Sequence, residues 1–98
     1  MRLILAPVLA LSLLPVPALA QDDKETLCRE RADLVIEAFN ARRAGDREGK
    51  VRRDLQSKLD RTAGEMLAAF VFSVPEAQLT DEQIAGAGAM FFEQCKGL

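Results

Sequence analysis

Apolar positions in this chain recur at three- and four-residue spacing over most of its length. Cys28, Ala32, Val35, Ile36 and Phe39 fall on one face of an α-helix. The spacing predicts a first helix from about Asp23 to Arg43. Asp22, Asp23 and Glu25 stand at its start, where the helix dipole favours negative charge. Arg42 and Arg43 occupy its last turn, and Gly45 follows as a stop. Asp46 is the predicted N-cap of a second helix, with Val51, Leu55 and Leu59 as its stripe. The same spacing runs on through Thr62, Met66 and Phe70 to Val74, and Pro75 ends it. In "LTDEQ", Thr80 is placed as an N-cap with Gln83 three residues on, a capping box. Ile84, Gly88, Phe91 and Cys95 then share one face of a last helix.

The opening segment, "MRLILAPVLALSLLPVPALA", has a different pattern. One early charge, Arg2, precedes an apolar run that ends in small residues at Ala18 and Ala20. This is the layout of a secretory signal peptide with an Ala-x-Ala cleavage site. A membrane anchor needs about 20 apolar residues, and Pro7, Pro15 and Pro17 interrupt this run. The expected organisation is a cleaved leader over residues 1–20 and one helical domain over residues 21–98. No cysteine follows the cleavage site for lipid attachment, and Arg2 makes no twin-arginine signal. The expected localisation is periplasmic or secreted, with no stable membrane insertion after cleavage.

Composition supports helices: Tyr and Trp are absent, and Ala, Leu, Glu, Arg and Lys are abundant. The two cysteines decide more. In an oxidising compartment, two cysteines in a small domain most often pair. A Cys28–Cys95 bridge closes a loop of about 68 residues, worth on the order of 4 kcal/mol. It also constrains topology. If residues 46–74 formed one straight helix, the chain would run up, down, up, and Cys95 would end far from Cys28. Helices of about 16–20 residues span about 25–30 Å, whereas a disulfide needs Cα atoms within about 7 Å. A break near Asp60–Gly64 resolves the conflict, because Asp60 can cap and Gly64 is a weak helix residue. A loop over residues 74–80 that climbs back is the other solution. The fold class expected is therefore all-α: a small bundle of three to four helices closed by one disulfide.

Charge and chemistry then narrow the function. Losing the leader removes only Arg2, so the domain is one unit more negative than the −2 of the full chain. Residues 42–61 carry eight basic and four acidic side chains, and both flanks are acidic. That basic centre is either a salt-bridged surface hairpin or a surface for an anionic partner. Nucleic acid is not expected, given the acidic total and a basic cluster without aromatics. The chain has no histidine, which removes the usual general base. Ser57 and Ser73 have no nucleophile-elbow glycines, and no glycine loop precedes a helix to cradle phosphate. Glu30, Asp33 and Glu37 share one side of the first helix and read as a solvated face. No enzyme activity, metal or cofactor is expected.

An apolar excess points instead to contact. "MLAAFVF", Met66 to Phe72, is apolar on more than one side, and Phe70 and Phe72 lie about 200° apart on a helix. Phe91 and Phe92 repeat the problem. The candidate partner-binding residues are Phe72 and Phe92 with Arg43, Arg47, Arg52 and Arg53 of the basic cluster. A homodimer is one arrangement such a patch allows. In "AGAGAMFFEQC", the small residues read as a thin face that lets Gly88 approach a neighbour while Phe91 fills the space beside the bridge.

Cys28, the Arg42 to Gly45 stop, the Phe70 to Pro75 segment and Cys95 together resemble a loose group of small secreted helical proteins of proteobacteria. That resemblance implies an exported bundle and no particular activity. "VPEAQLTDEQ" is similar to the entry of the last helix in periplasmic immunity proteins that neutralise cell-wall hydrolases. Small single-disulfide acid-stress chaperones of the periplasm are a more distant likeness. The functional expectation is an exported non-catalytic module that binds another exported protein as an inhibitor or immunity protein. The alternative is a periplasmic chaperone that exposes Phe-rich surface under acid or other stress.

Overall fold

The computed structural model describes the backbone of residues 15–98 and the side-chain surroundings of residues 23–98. The predicted leader lies outside the described residues over positions 1–14. Four α-helices follow: α1 (Pro15–Arg43), α2 (Glu48–Lys58), α3 (Arg61–Ser73) and α4 (Asp81–Gly97). A short 3-10 turn, Glu76–Gln78, links α3 to α4. No strand occurs among the described residues. The chain is an all-α bundle closed by a disulfide.

α1 starts earlier than the acidic residues at 22–25 predict, at Pro15. Pro15 and Pro17 fall within the first turn, where backbone N–H groups have no intrahelical acceptor to lose. The other end follows expectation. Gly45 adopts φ +104°, a conformation that favours glycine. Its N–H reaches Arg42 O and the Asp46 N–H reaches Ala41 O, each at 3.0 Å, which closes the helix as a Schellman motif. That motif uses Asp46, so the N-cap of α2 moves on to Arg47, with no side-chain cap bond. The expected cap at Asp46 is thus displaced by one residue.

The break between α2 and α3 falls at Leu59 and Asp60, both extended. Asp60 Oδ1 accepts from the Ala63 N–H at 2.7 Å and caps α3. Two extended residues reset the helical phase. The face of α3 that enters the core is therefore Gly64, Leu67, Ala68 and Val71. Thr62, Met66 and Phe70, which continue the spacing of α2, are exposed, and only Val74 of that stripe is half-buried.

Gly64 has a second role. A Cβ on it would lie 2.7 Å from Gln56 N and 2.8 Å from Gln56 Cα. The α2 and α3 backbones meet at this point, and backbone cannot move aside as a side chain can. Gly64→Ala is expected to cost about 2 kcal/mol by overpacking, despite alanine's better helix propensity. Chemical denaturation would check it; a neutral or stabilising change would show that the two helices separate freely. Gly88 approaches Ile36 in the predicted way, but its close neighbours are side-chain atoms, Cδ1 at 2.6 Å and Cγ1 at 2.7 Å from an added Cβ.

α1 forms the spine. α4 packs along one side of it, α2 packs along α3, and α1 also touches both members of that hairpin. The core where they meet holds Val35, Ala38, Phe39, Val51, Leu55, Leu67, Ala68, Val71 and Ile84. Cys28 and Cys95 are bonded, with Cα atoms 5.6 Å apart, and tie the early part of α1 to the end of α4. Thr80 Oγ1 accepts from the Gln83 N–H at 3.2 Å and starts α4 as the capping box predicts.

Arg42 finishes α3 from outside. α3 has no basic residue in its last turn, so its terminal carbonyls need donors from elsewhere. Ser73 Oγ donates to Phe70 O at 2.7 Å. Arg42 Nη1 donates to Val71 O at 2.7 Å and to Val74 O at 2.6 Å.

Candidate functional site: an open apolar seam

One side of the bundle is left unclosed. α3 and α4 both lean on α1 but scarcely touch each other. Between them runs an apolar groove floored by Phe39 and divided by Phe70, whose ring meets Phe39 edge-on at 6.0 Å and 79°. On one side of Phe70 is a cleft of about 450 Å³ walled by Met66, Leu67 and Phe91. On the other is a cleft of about 360 Å³ walled by Val74, Ile84 and Met90. Met66 is 68% exposed, Phe70 51% and Met90 61%. Among the described residues these are three of the five large apolar ones left exposed. Polar side chains on the rims are mostly amides, Gln78, Gln83 and Gln94, with Arg31 and Asp60 at one end.

Several predicted site residues are occupied elsewhere. Phe72 is half-buried against the core, with the Arg42 guanidinium carbon 5.3 Å from its ring centroid. Phe92 lies half-buried between two cations, Arg29 at 4.9 Å and Lys96 at 4.7 Å. Such cation–π contacts cover an aromatic face that would otherwise meet solvent. Arg43 donates to Leu79 O at 3.1 Å and pairs with Asp81 at 2.7 Å, so it secures the link into α4. Arg47 caps the start of α2, and Arg52 and Arg53 stand on it; all three lie outside the groove, without an ion-pair partner among the described residues. The guanidinium groups of Arg52 and Arg53 converge over Gly49. The six candidates therefore do not form one surface.

The basic segment is in part the salt-bridged hairpin that its interleaved acids predict. Lys58 Nζ lies 3.3 Å from Asp54 and 3.5 Å from Glu37, and so joins α2 to α1. The Asp54 hydrogen bond, then the charges of Asp54 and Glu37, raise the Lys58 pKa above the ordinary lysine value. These groups edge a cleft of about 570 Å³ between α1 and α2, lined by both charged and apolar side chains. Lys50 pairs there with Asp46 at 3.5 Å. Among the described residues no three His, Cys, Asp or Glu side chains come together as metal ligands. No helix among them is long and apolar enough to cross a membrane.

Sequence reasoning missed Met66, Phe70 and Met90 as the exposed apolar set. The signal was present for α3: once Asp60 is accepted as an N-cap, the core face is 64, 67, 68 and 71, and Met66 and Phe70 must point elsewhere. For Met90 the same cue was present, since the face of Ile84, Gly88, Phe91 and Cys95 leaves it more than 100° away; the gap between α3 and α4 that it borders was not legible.

The fold and the seam define a disulfide-closed all-α protein with an unpartnered helix–helix groove. No family model, curated protein or solved structure matches this chain.

Proposed function

We propose that this chain is an exported, non-catalytic protein-binding module of the inhibitor or immunity type, and that it binds its partner through the α3–α4 seam. The exposure of Met66, Phe70 and Met90 along one groove carries the reading. Scattered exposed apolar residues need no explanation, but a contiguous patch of large ones marks a contact site. Methionine suits such a surface because its flexible thioether adapts to the shape of what it meets. Export is supported by the leader-like pattern of residues 1–20 and by a disulfide, which persists in oxidising compartments. The chaperone alternative would need an acid trigger, which in a chain without histidine would act through carboxylates such as Glu37 and Asp81 that pair between elements.

Affinity capture from an envelope extract tests the reading when three baits are compared. The wild-type chain should retain a specific protein, and the Met66→Gln/Met90→Gln bait should lose it. The Arg47→Gln/Arg52→Gln/Arg53→Gln bait should keep it. Retention by the groove variant, with loss from the arginine variant, would move the binding surface to α2.

A further inference from the structure

We propose that a hollow beside the start of α2 is a site for a phosphate group, held by Arg47 and Arg53 with Arg52 at its edge. The site is separate from the seam and stands or falls without it.

The ion pairs isolate these arginines. Residues 42–61 carry eight basic side chains. Arg42 donates to two carbonyls at the end of α3, and Arg43 pairs with Asp81. Lys50 pairs with Asp46, and Lys58 with Asp54 and Glu37. Arg61 stands apart, at the first position of α3. Arg47, Arg52 and Arg53 are left without an acid among the described residues, and all three belong to the first two turns of α2 or its cap.

Geometry brings them together. The open hollow, of about 420 Å³, is lined by Gly45, Asp46, Arg47, Gly49, Lys50 and Arg53. Asp46, the acid in that lining, is already paired with Lys50, so the free charge there is that of Arg47 and Arg53. Arg52 adds a third cation at the glycine edge. A Cβ on Gly49 would lie 3.6 Å from Arg53 Nη1 and 3.8 Å from Arg52 Nη2. Two guanidinium groups thus converge on one point of the backbone. Glu48 stands four residues before Arg52, the spacing at which acid and base pair on a helix. Arg52 nonetheless reaches toward Gly49 and Arg53, and makes no such pair. Like charges held together repel, and an anion between them turns the repulsion into attraction.

The donor set selects phosphate over carboxylate. Arginine stays charged, and its planar fork gives paired donors. A carboxylate has two oxygens in one plane, which one fork satisfies. A phosphate monoester offers three terminal oxygens and a charge of about −1.5 to −2 near neutral pH, so it can meet forks from more than one side. The hollow has the volume of roughly a dozen water molecules. It therefore admits the phosphate with part of the molecule that bears it. The bearer is a soluble phosphomonoester or a lipid whose headgroup ends in one, and the chemistry at the arginines is the same for both.

NMR of the isotope-labelled chain at low salt, where such contacts are strongest, tests the site. Inorganic phosphate should shift the Gly45 and Gly49 amide signals saturably, with a Kd of about 1 mM or tighter. Acetate should bind at least about tenfold more weakly. Arg52→Gln/Arg53→Gln should weaken phosphate binding by at least about tenfold at an unchanged melting temperature. Arg52→Lys/Arg53→Lys keeps the charge but loses the forks, and should weaken it by about threefold or more. Arg61→Gln removes a cation outside the hollow and should leave binding unchanged. Glycerol phosphate and vesicles of phosphatidic acid in phosphatidylcholine then separate the sources. Binding to the soluble ester and not to the vesicles makes the ligand a small molecule. Vesicle binding that inorganic phosphate displaces places the phosphate on a lipid. No saturable shift with phosphate, equal affinity for acetate, full binding by Arg52→Gln/Arg53→Gln, or an equal loss in Arg61→Gln overturns the proposal.

Discussion

Reducing the protein, or replacing both cysteines with alanine, is expected to lower its melting temperature by about 20 °C. The Cys28–Cys95 bond links residues 67 apart in the chain. Closing a loop of that size removes about 4 kcal/mol of conformational freedom from the unfolded chain in the chain-entropy treatment. For a domain of this size, 1 kcal/mol moves the melting temperature by about 4–8 °C. The reason for so large an effect lies in the packing. α4 is held mainly along α1 and barely at α3. Only Ile84 and Gly88 of α4 are buried. Without the bond, little apolar area keeps the end of α4 in place. Cys28 is fully buried, so alanine is the fitting replacement and serine would add an unpartnered hydroxyl. Thermal melts followed by circular dichroism, with and without reductant, give the measurement. A shift under about 5 °C would mean that α4 is secured by packing alone.

Arg42→Met is expected to cost about 3 kcal/mol, far more than Arg43→Ala at about 1 kcal/mol or less. The two arginines are neighbours in sequence and differ in what they hold. Arg42 is half-buried, and one of its nitrogens bonds two carbonyls at the end of α3. Hydrogen bonds from a charged donor contribute about 1.5–3 kcal/mol, and a carbonyl left unpaired in a partly buried site adds its desolvation cost. Methionine preserves the stem beside Phe72 but removes both bonds. Arg43 makes an exposed pair with Asp81, whose side chain is 89% accessible, and solvent screening keeps such pairs weak. Urea denaturation of both variants reads the difference. Equal losses would show that the α3 carbonyls are satisfied by water once Arg42 is gone.

The contrast shows where the sequence can be read and where it cannot. Arg42 and Arg43 look alike as the last basic turn of α1, and dipole complementarity accounts for both at that level. Neither the carbonyls that Arg42 caps nor the Asp81 that Arg43 meets can be found from local pattern, because all lie about thirty or more residues away. Phe72 and Phe92 were legible as aromatics in excess of one core face. That cations from α1 and α4 would cover them was not.

Local chemistry was the readable part. The Gly45 stop, the Asp60 cap, the Thr80 cap and the helical faces of α1 and α2 each depend on residues within a few positions of one another, so the sequence carries them directly. The bridge was readable for a different reason. Two cysteines must meet, and that single distance required either a break near Asp60–Gly64 or a returning loop over residues 74–80; the fold takes the break. The face that α3 presents depended on the phase reset at Leu59 and Asp60, and so was recoverable only after the break was placed. The gap between α3 and α4 was beyond local reasoning. Whether two helices that share a third also close on each other depends on crossing angles set by contacts such as Gly64 on Gln56 and Gly88 on Ile36. Those contacts turn α3 toward α2 and α4 toward α1, and the seam lined by Met66, Phe70 and Met90 is what remains between them.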